Sequence, residues 1–229
     1  MNNSRREIRI TADGSATIYL ADLDESYHSR HGAIQEAEHV FIQNGLNLQG
    51  QSVCILEMGF GTGLNALLTC HHAAKIGKKV DYVGVEAFPI LTDEIRLMHY
   101  ADLIDPALEP VFRQMHECQW GLPCSISHHF TLEKHQTRFE SIDFESRFDL
   151  VYFDAFGFRV QPELWSASIF SSLYRALKPG GLLVTYAART IIRDNMKAAG
   201  FNVRKRPGPP GKREMMQAVK GSFNEIVTS

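Results

Sequence analysis

The chain has 229 residues, 44% of them hydrophobic and 22% charged, with a formal net charge of −2. That balance suits a globular protein of one large domain and excludes a wholly basic nucleic-acid binder, while leaving room for a local basic face. No apolar run approaches the ~20 residues of a membrane span, and the start, Met1-Asn2-Asn3-Ser4-Arg5-Arg6, lacks the apolar core of a secretory signal, so a cytoplasmic location is expected.

Ile8 and Ile10 alternate with polar residues, Asp13-Gly14 supplies a turn, and Ile18 and Leu20 alternate on the way back, which predicts a small hairpin. A polar segment from Asp22 to Arg30 follows. Ile34, Ala37, Val40 and Phe41 then fall on one face of a helix predicted from Ala33 to about Asn44, with Gly45 as its stop. Residues 1–46 thus read as an extension ahead of a larger domain, 47–229.

From Val53 the pattern alternates. Strands are predicted at Val53 to Leu56, Val80 to Val85, Cys124 to Phe130, Leu150 to Phe153 and Leu182 to Tyr186. Helices are predicted at Leu64 to Ile76, Leu91 to Tyr100, Leu164 to Leu177 and Ile191 to Ala199. Such alternation implies a mostly parallel sheet covered on both faces. Phe201 to Arg204 and Glu214 to Val219, joined by Arg206-Pro207-Gly208-Pro209-Pro210-Gly211-Lys212, read as an antiparallel edge hairpin. Cysteines 54, 70, 118 and 124 form no Cys-x-x-Cys pair, and because Cys54 lies within the predicted buried strand a reduced thiol is expected. His71-His72 and His128-His129 carry no metal expectation, because adjacent side chains diverge on a helix and face opposite sides of a strand.

The most informative stretch is Ile55-Leu56-Glu57-Met58-Gly59-Phe60-Gly61-Thr62-Gly63. An apolar strand ends in an acid and then three alternating glycines, which permit positive φ and close approach of a ligand to the backbone. The loop lies at the carboxyl end of a strand, where open α/β sheets bind ligands. One residue, Thr62, separates the second and third glycines, whereas a dinucleotide fingerprint has two. The spacing resembles the first motif of S-adenosylmethionine-dependent methyltransferases, in which the acid and glycines surround the amino-acid end of the cofactor. That resemblance makes Glu57, Gly59, Gly61, Gly63 and Asn65 candidate cofactor residues.

Glu86 and Asp154 also end strands, and strand ends on one edge of such a sheet converge on one crevice. A carboxylate at Glu86 is suited to accept from both ribose hydroxyls of a nucleoside. Asp154-Ala155-Phe156 sits where amino-group methyltransferases carry a short polar-aromatic motif. Asp154 is expected to orient the acceptor nitrogen and take its proton, and Phe156 to pack on the base.

Four stretches together resemble the methyltransferase domain of the bacterial tRNA-modifying MnmC family. They are Tyr27-His28-Ser29 with Gly32-Ala33 and His39-Val40-Phe41-Ile42; Glu57 to Asn65; Phe153-Asp154-Ala155-Phe156 with Pro162-Glu163-Leu164-Trp165; and Gly200-Phe201 through Lys205-Arg206-Pro207-Gly208 to Lys212-Arg213-Glu214-Met215. The resemblance implies a Rossmann-like class I methyltransferase with a seven-stranded, mostly parallel sheet and an antiparallel C-terminal edge hairpin. It implies S-adenosyl-L-methionine as donor and a 5-aminomethyl-(2-thio)uridine at the tRNA wobble position as acceptor, so the anticodon stem-loop of tRNA is the expected partner. The flavin oxidoreductase domain of two-domain members is not in this sequence, so no flavin is expected. Where members carry Gly-Asp for the adenine amino group, this chain has His135-Gln136, which leaves the Gln136 carbonyl as acceptor. Phe158 and Val160 stand near places where members carry a proline and a lysine.

Arg189, Arg193, Arg206, Lys212 and Arg213 are candidate RNA contacts, with Arg204 and Lys205 beside them; the other reading is a solvated edge. Tyr27 and His28 are candidates to close over the cofactor or hold a flipped base, or to pack the hairpin on the core. Three functions compete with tRNA methylation: methyl or aminopropyl transfer to a small amine, a catalytically silent S-adenosylmethionine- or RNA-binding module, and, more distantly, a nicotinamide dehydrogenase, against which the glycine spacing argues.

Overall fold

A computed structural model describes residues 5–225. In chain order the strands are β1 (Arg6–Ile10), β2 (Ala16–Leu20), β3 (Glu25–Ser26), β4 (Ser52–Met58), β5 (Lys79–Glu86), β6 (Pro123–Ser127), β7 (Phe130–Gln136), β8 (Phe148–Phe153), β9 (Leu177–Thr185), β10 (Asn202–Pro207) and β11 (Glu214–Val219). The helices are α1 (Ala33–Ala37), α2 (Leu64–Ile76), α3 (Thr92–Ile95), α4 (Tyr100–Ile104), α5 (Glu109–Glu117), α6 (Ala167–Ala176) and α7 (Thr190–Ala198).

The main sheet runs β10-β11-β9-β8-β4-β5-β7-β6. β9, β8, β4, β5 and β7 are mutually parallel, and antiparallel partners close both edges. β4 lies between β5 and β8, the point at which chain order reverses and where such sheets open a crevice. Period-two alternation divides the sheet's side chains between two cores. Ile55, Tyr82, Leu150 and Leu182 face α2, α5 and the N-terminal strands; Leu56, Val83, Val151 and Leu183 face α6 and α7. Ala16, Ile18 and Leu20 of β2 belong to the same core as Leu64 and Leu67 of α2, so the N-terminal sheet sits directly over the cofactor-type loop. Arg6 fixes it further through an ion pair with Glu94 of α3 at 2.8 Å, both side chains largely buried.

The N-terminal hairpin forms as expected, though Ile10 is exposed, and α2 and β11 keep their expected bounds. Several expectations are corrected. The sheet has eight strands, not seven, because residues 123–136 form two antiparallel strands where one was expected at Cys124 to Phe130. The parallel member is β7, and its core alternation Phe130, Leu132, Lys134 ends in a lysine. Lys134 is 1% exposed; its ammonium donates to the His116 carbonyl at 2.8 Å and lies 4.8 Å from the Trp120 ring centroid. Burial lowers its pKa to about 8. The helix expected at Leu91 to Tyr100 is broken into α3 and α4 by His99, whose φ is +20°. α5 lay unpredicted in a segment containing Pro106 and Pro110; Pro110 falls in the first turn, where a missing N–H costs nothing. The helix at Ala33 ends in a π-helical turn at Glu38–Gln43. Cys118 and Cys124 are joined in a disulfide, while Cys54 and Cys70 are free.

Candidate active site

The crevice forms because the β4–α2 loop must climb over two strand ends at once. The amides of Gly59 and Phe60 both donate to the Val85 carbonyl at 3.0 Å, and the Asp154 amide donates to the Met58 carbonyl at 3.0 Å. The ends of β4, β5 and β8 are thereby tied together. Gly59 (φ +98°) passes so near β8 that a Cβ would meet the Asp154 carbonyl oxygen at 2.4 Å. On β5, Gly84 leaves room for the Phe60 ring, which a Cβ would meet at 2.5 Å.

The resulting cleft, about 190 Å³, is lined by Gly59, Phe60, Gly61, Thr62, Asn65, Glu86, Phe139, Glu140, Asp154, Phe156 and Leu164, with Tyr27 and His28 above. Glu86 is held by its own neighbours: one carboxylate oxygen accepts from the Gly61 amide at 3.0 Å, the other from the Phe88 amide at 2.8 Å. Tyr27 meets Phe156 edge-on at 5.1 Å, and burial raises its hydroxyl to about 12. His28 is buried between Thr17 and Thr62, with Nδ1 3.1 Å from the Thr17 hydroxyl and Nε2 3.4 Å from that of Thr62. Burial pushes its pKa down to about 4, so its ring is neutral at physiological pH.

Asp154 stands at the inner end of the cleft. Burial pushes its pKa up to about 7 despite a hydrogen bond from Asn65 Nδ2 to Oδ2 at 2.9 Å. The second Asn65 amide hydrogen reaches Glu57 Oε1, also at 2.9 Å. Glu57 is fully buried beneath the loop and does not line the cleft; burial holds its carboxyl well above the usual range. The nearby Tyr82 phenol is pushed up as well, although neither the Tyr82 hydroxyl nor Glu57 Oε2 has a well-formed hydrogen bond.

A second, more polar cavity of about 470 Å³ adjoins the first and shares Tyr27, His28, Asn65, Asp154 and Phe156 with it. The chain between β2 and α1, the side chain of Glu36, Tyr186 and Lys212 complete its wall.

Most of the expected cofactor residues therefore gather at one place: Tyr27, Gly59, Gly61, Asn65, Glu86 and Asp154 line the cleft. Gly63, in the left-handed region at φ +77°, turns away and backs onto Phe60 and His116. Gln136 stands apart from the residues that line the cleft. It is exposed at the end of β7, opposite Glu86, and outside the cleft. The chain turns there through the Thr137 amide, which donates to the Glu86 carbonyl at 3.2 Å, and the next turn brings Phe139 and Glu140 over the cleft instead.

The basic residues divide. Arg206 and Arg213 are exposed on the C-terminal hairpin. Arg189 covers the Phe158 ring at 5.1 Å, and Arg193 pairs with neighbouring Asp194 at 3.1 Å. Lys212 faces inward: it is ion-paired with Glu36 and sits 3.9 Å from the Tyr186 ring centroid, inside the second cavity. Sequence reasoning missed Phe139, Glu140, Glu36 and Tyr186; Glu36 falls on the polar face of a helical pattern, where nothing distinguishes it from a solvated acid.

The cleft fits a nucleoside bearing a charged amino-acid tail. It offers a strand-end carboxylate fixed by backbone amides, an apolar wall of Phe139 and Leu164, and a glycine loop open to close approach.

The profile of an S-adenosyl-L-methionine-dependent methyltransferase family matches residues 121–221. The tRNA 5-methylaminomethyl-2-thiouridine biosynthesis bifunctional protein MnmC of Ralstonia nicotianae is 32% identical over 220 residues, covering 89% of this chain and 33% of that protein. Its counterpart in Leptospira interrogans is 29% identical over 225 residues, covering 90% of this chain and 34% of the relative. The chain thus spans about a third of the length of these relatives. In fold it is similar to the crystal structure of MNMC2 from Aquifex aeolicus, with a TM-score of 0.73, 24% identity, and 98% of this chain and 75% of that one covered. It is also similar to spermidine synthase from Thermotoga maritima, with a TM-score of 0.62, 14% identity, and 98% and 73% covered. The chain thus matches an S-adenosyl-L-methionine-dependent methyltransferase family over residues 121–221 and is similar over about nine-tenths of its length to part of the MnmC proteins.

Proposed function

We propose that this protein methylates the primary amine of a 5-aminomethyl-(2-thio)uridine at the wobble position of tRNA, in the anticodon stem-loop. The observation that carries this reading is Asp154, a buried carboxyl with a pKa of about 7 at the junction of a cofactor-type cleft and a second cavity. The tRNA-modifying role named for the MnmC relatives, similar over about nine-tenths of this chain, supports a tRNA acceptor.

Gly59, Gly61 and Glu86 would hold the cofactor, with Phe139 against its base. When bound, S-adenosyl-L-methionine supplies a sulfonium-borne methyl: the amine lone pair forms the new N–C bond, and the S–C bond breaks with its electron pair left on sulfur. The chain's own task is to present a neutral amine in a dry site. A free alkylammonium has a pKa near ~10, so it must lose a proton before it is nucleophilic. Tyr27, His28 and Phe156 roof the junction and exclude water, which disfavours the ammonium. Asp154 accepts an amine N–H and takes the surplus proton once the N–C bond has formed. A flipped-out pyrimidine would enter through the second cavity, leaving the exposed Arg206 and Arg213 for the phosphates on either side.

The test is methyl transfer from labelled S-adenosyl-L-methionine to bulk tRNA from cells lacking this gene and from normal cells, followed by nucleoside mass spectrometry. Label is expected as 5-methylaminomethyl uridine in the deficient tRNA alone. Cofactor binding with no label in either tRNA would leave a small-amine acceptor or a silent binding module.

A further inference from the structure

Asn65 is the second residue of α2 and only 4% exposed, yet it lines both cavities at the point where they meet. Its amide nitrogen has two hydrogens, and both are committed: one to Glu57 Oε1, one to Asp154 Oδ2, each at 2.9 Å. The Asn65 amide is oriented with its nitrogen toward these two oxygens, so its carbonyl oxygen points away from both bonds. The Asn65 Oδ1 atom is left buried and, among the described residues, without a hydrogen-bond partner. A buried acceptor in that condition is costly unless a ligand satisfies it.

We propose that Asn65 Oδ1 and the Asp154 carboxylate form a two-acceptor cradle for the two N–H groups of a primary amine, which makes Asn65 the residue that restricts this enzyme to a single methylation. This rests on the reading of Asp154 as the acceptor site. A neutral primary amine has two N–H bonds and one lone pair. Two acceptors that take both N–H groups leave the lone pair as the only unbound direction, so orientation follows from counting hydrogens. The methylated product, once deprotonated, has a single N–H. In the same cradle one acceptor would lose its partner and face a methyl group. Sites built to bond an N–H discriminate strongly against analogues that lack it. Glu57 serves as the anchor that holds the far side of the Asn65 amide.

The probes are tRNA carrying 5-aminomethyluridine and the same tRNA already converted to the monomethyl form. The readouts are nucleoside mass spectrometry and calorimetric binding of S-adenosyl-L-methionine. For the wild type, kcat/KM for the primary amine should exceed that for the secondary amine by at least about 100-fold, and prolonged reaction should yield no dimethyl product. In Asn65→Ala and Asn65→Ser, cofactor Kd should stay within about 3-fold of wild type while that preference falls to about 10-fold or less, with dimethylated nucleoside accumulating. An unchanged preference with weakened cofactor binding would overturn the proposal and give Oδ1 to the cofactor's ammonium. Dimethyl product from the wild type would overturn it without any variant, even if neither variant folds. No label from wild type on the primary-amine tRNA would instead sink the proposed function.

Discussion

Gly59 and Asp154 meet backbone to backbone: a Cβ on Gly59 would stand 2.4 Å from the Asp154 carbonyl oxygen. This close approach ties the cofactor-type loop to the end of β8, so the loop and Asp154 move as one body. Gly59→Ala would strain a φ of +98° and force that carbonyl aside. We expect a loss of about 2–4 kcal/mol in stability, or a shifted β8 end that abolishes cofactor binding in whatever protein remains folded. Urea unfolding and calorimetry with S-adenosyl-L-methionine measure the two. Wild-type values in both would remove the loop from the site.

Asp154 should set the acid limb of the pH profile. Its pKa is raised to about 7 by burial, so it is largely protonated below that pH and cannot receive the amine proton. The kcat is therefore expected to fall below a midpoint near pH 7, and Asp154→Asn to lose that limb and about 100-fold or more of the rate. Asparagine keeps a carbonyl for Asn65 Nδ2, so folding should survive. A pH-independent wild-type rate from pH 5.5 to 8 would relieve Asp154 of the proton-accepting role.

Lys212 and the two exposed arginines should separate by salt dependence. Removing one phosphate-neutralising cation makes the slope of log affinity against log salt shallower by about 0.7 to 0.9. Arg206→Ala and Arg213→Ala are expected to weaken tRNA binding with that signature. Lys212 is tied to Glu36 and Tyr186 within the second cavity, so Lys212→Ala should lower kcat while leaving the salt slope near wild type. Filter binding across a salt series checks all three, and an equal slope change for Lys212→Ala would return it to the phosphate-binding face.

Legibility in the sequence follows from what leaves a local trace. The β4–α2 loop is legible because an apolar strand, an acid and spaced glycines are contiguous, and Asp154 because it follows an apolar strand directly. Lys134 hides β7, since a lysine at a core position breaks the alternation that marks a strand, and its carbonyl partner with the Trp120 and Phe60 rings makes the burial tolerable. Glu36 and Lys212 are separated by 176 residues, and nothing local signals that they pair. Gln136 matches a motif position in sequence, but the turn after β7 carries the chain past it to Phe139.

Glu57 should reveal itself through stability rather than catalysis. Complete burial raises its folded-state pKa well above the ordinary value near 4.5 that the unfolded chain restores. A group shifted in that direction contributes its full stability only below the unfolded pKa, and the contribution is lost as pH rises toward the folded pKa. Wild-type protein should therefore lose stability from this residue as pH rises above the ordinary carboxyl range. Glu57→Gln keeps a carbonyl oxygen for Asn65 Nδ2 and removes the titration. The variant is expected to match wild type near pH 4 and to be the more stable of the two at pH 8. Urea unfolding of the two proteins at both pH values isolates the difference from that of Asp154, which both retain. A wild type that gains on the variant as pH rises would mean that Glu57 is ionised in the folded protein, with Asn65 holding a charge rather than a neutral acid.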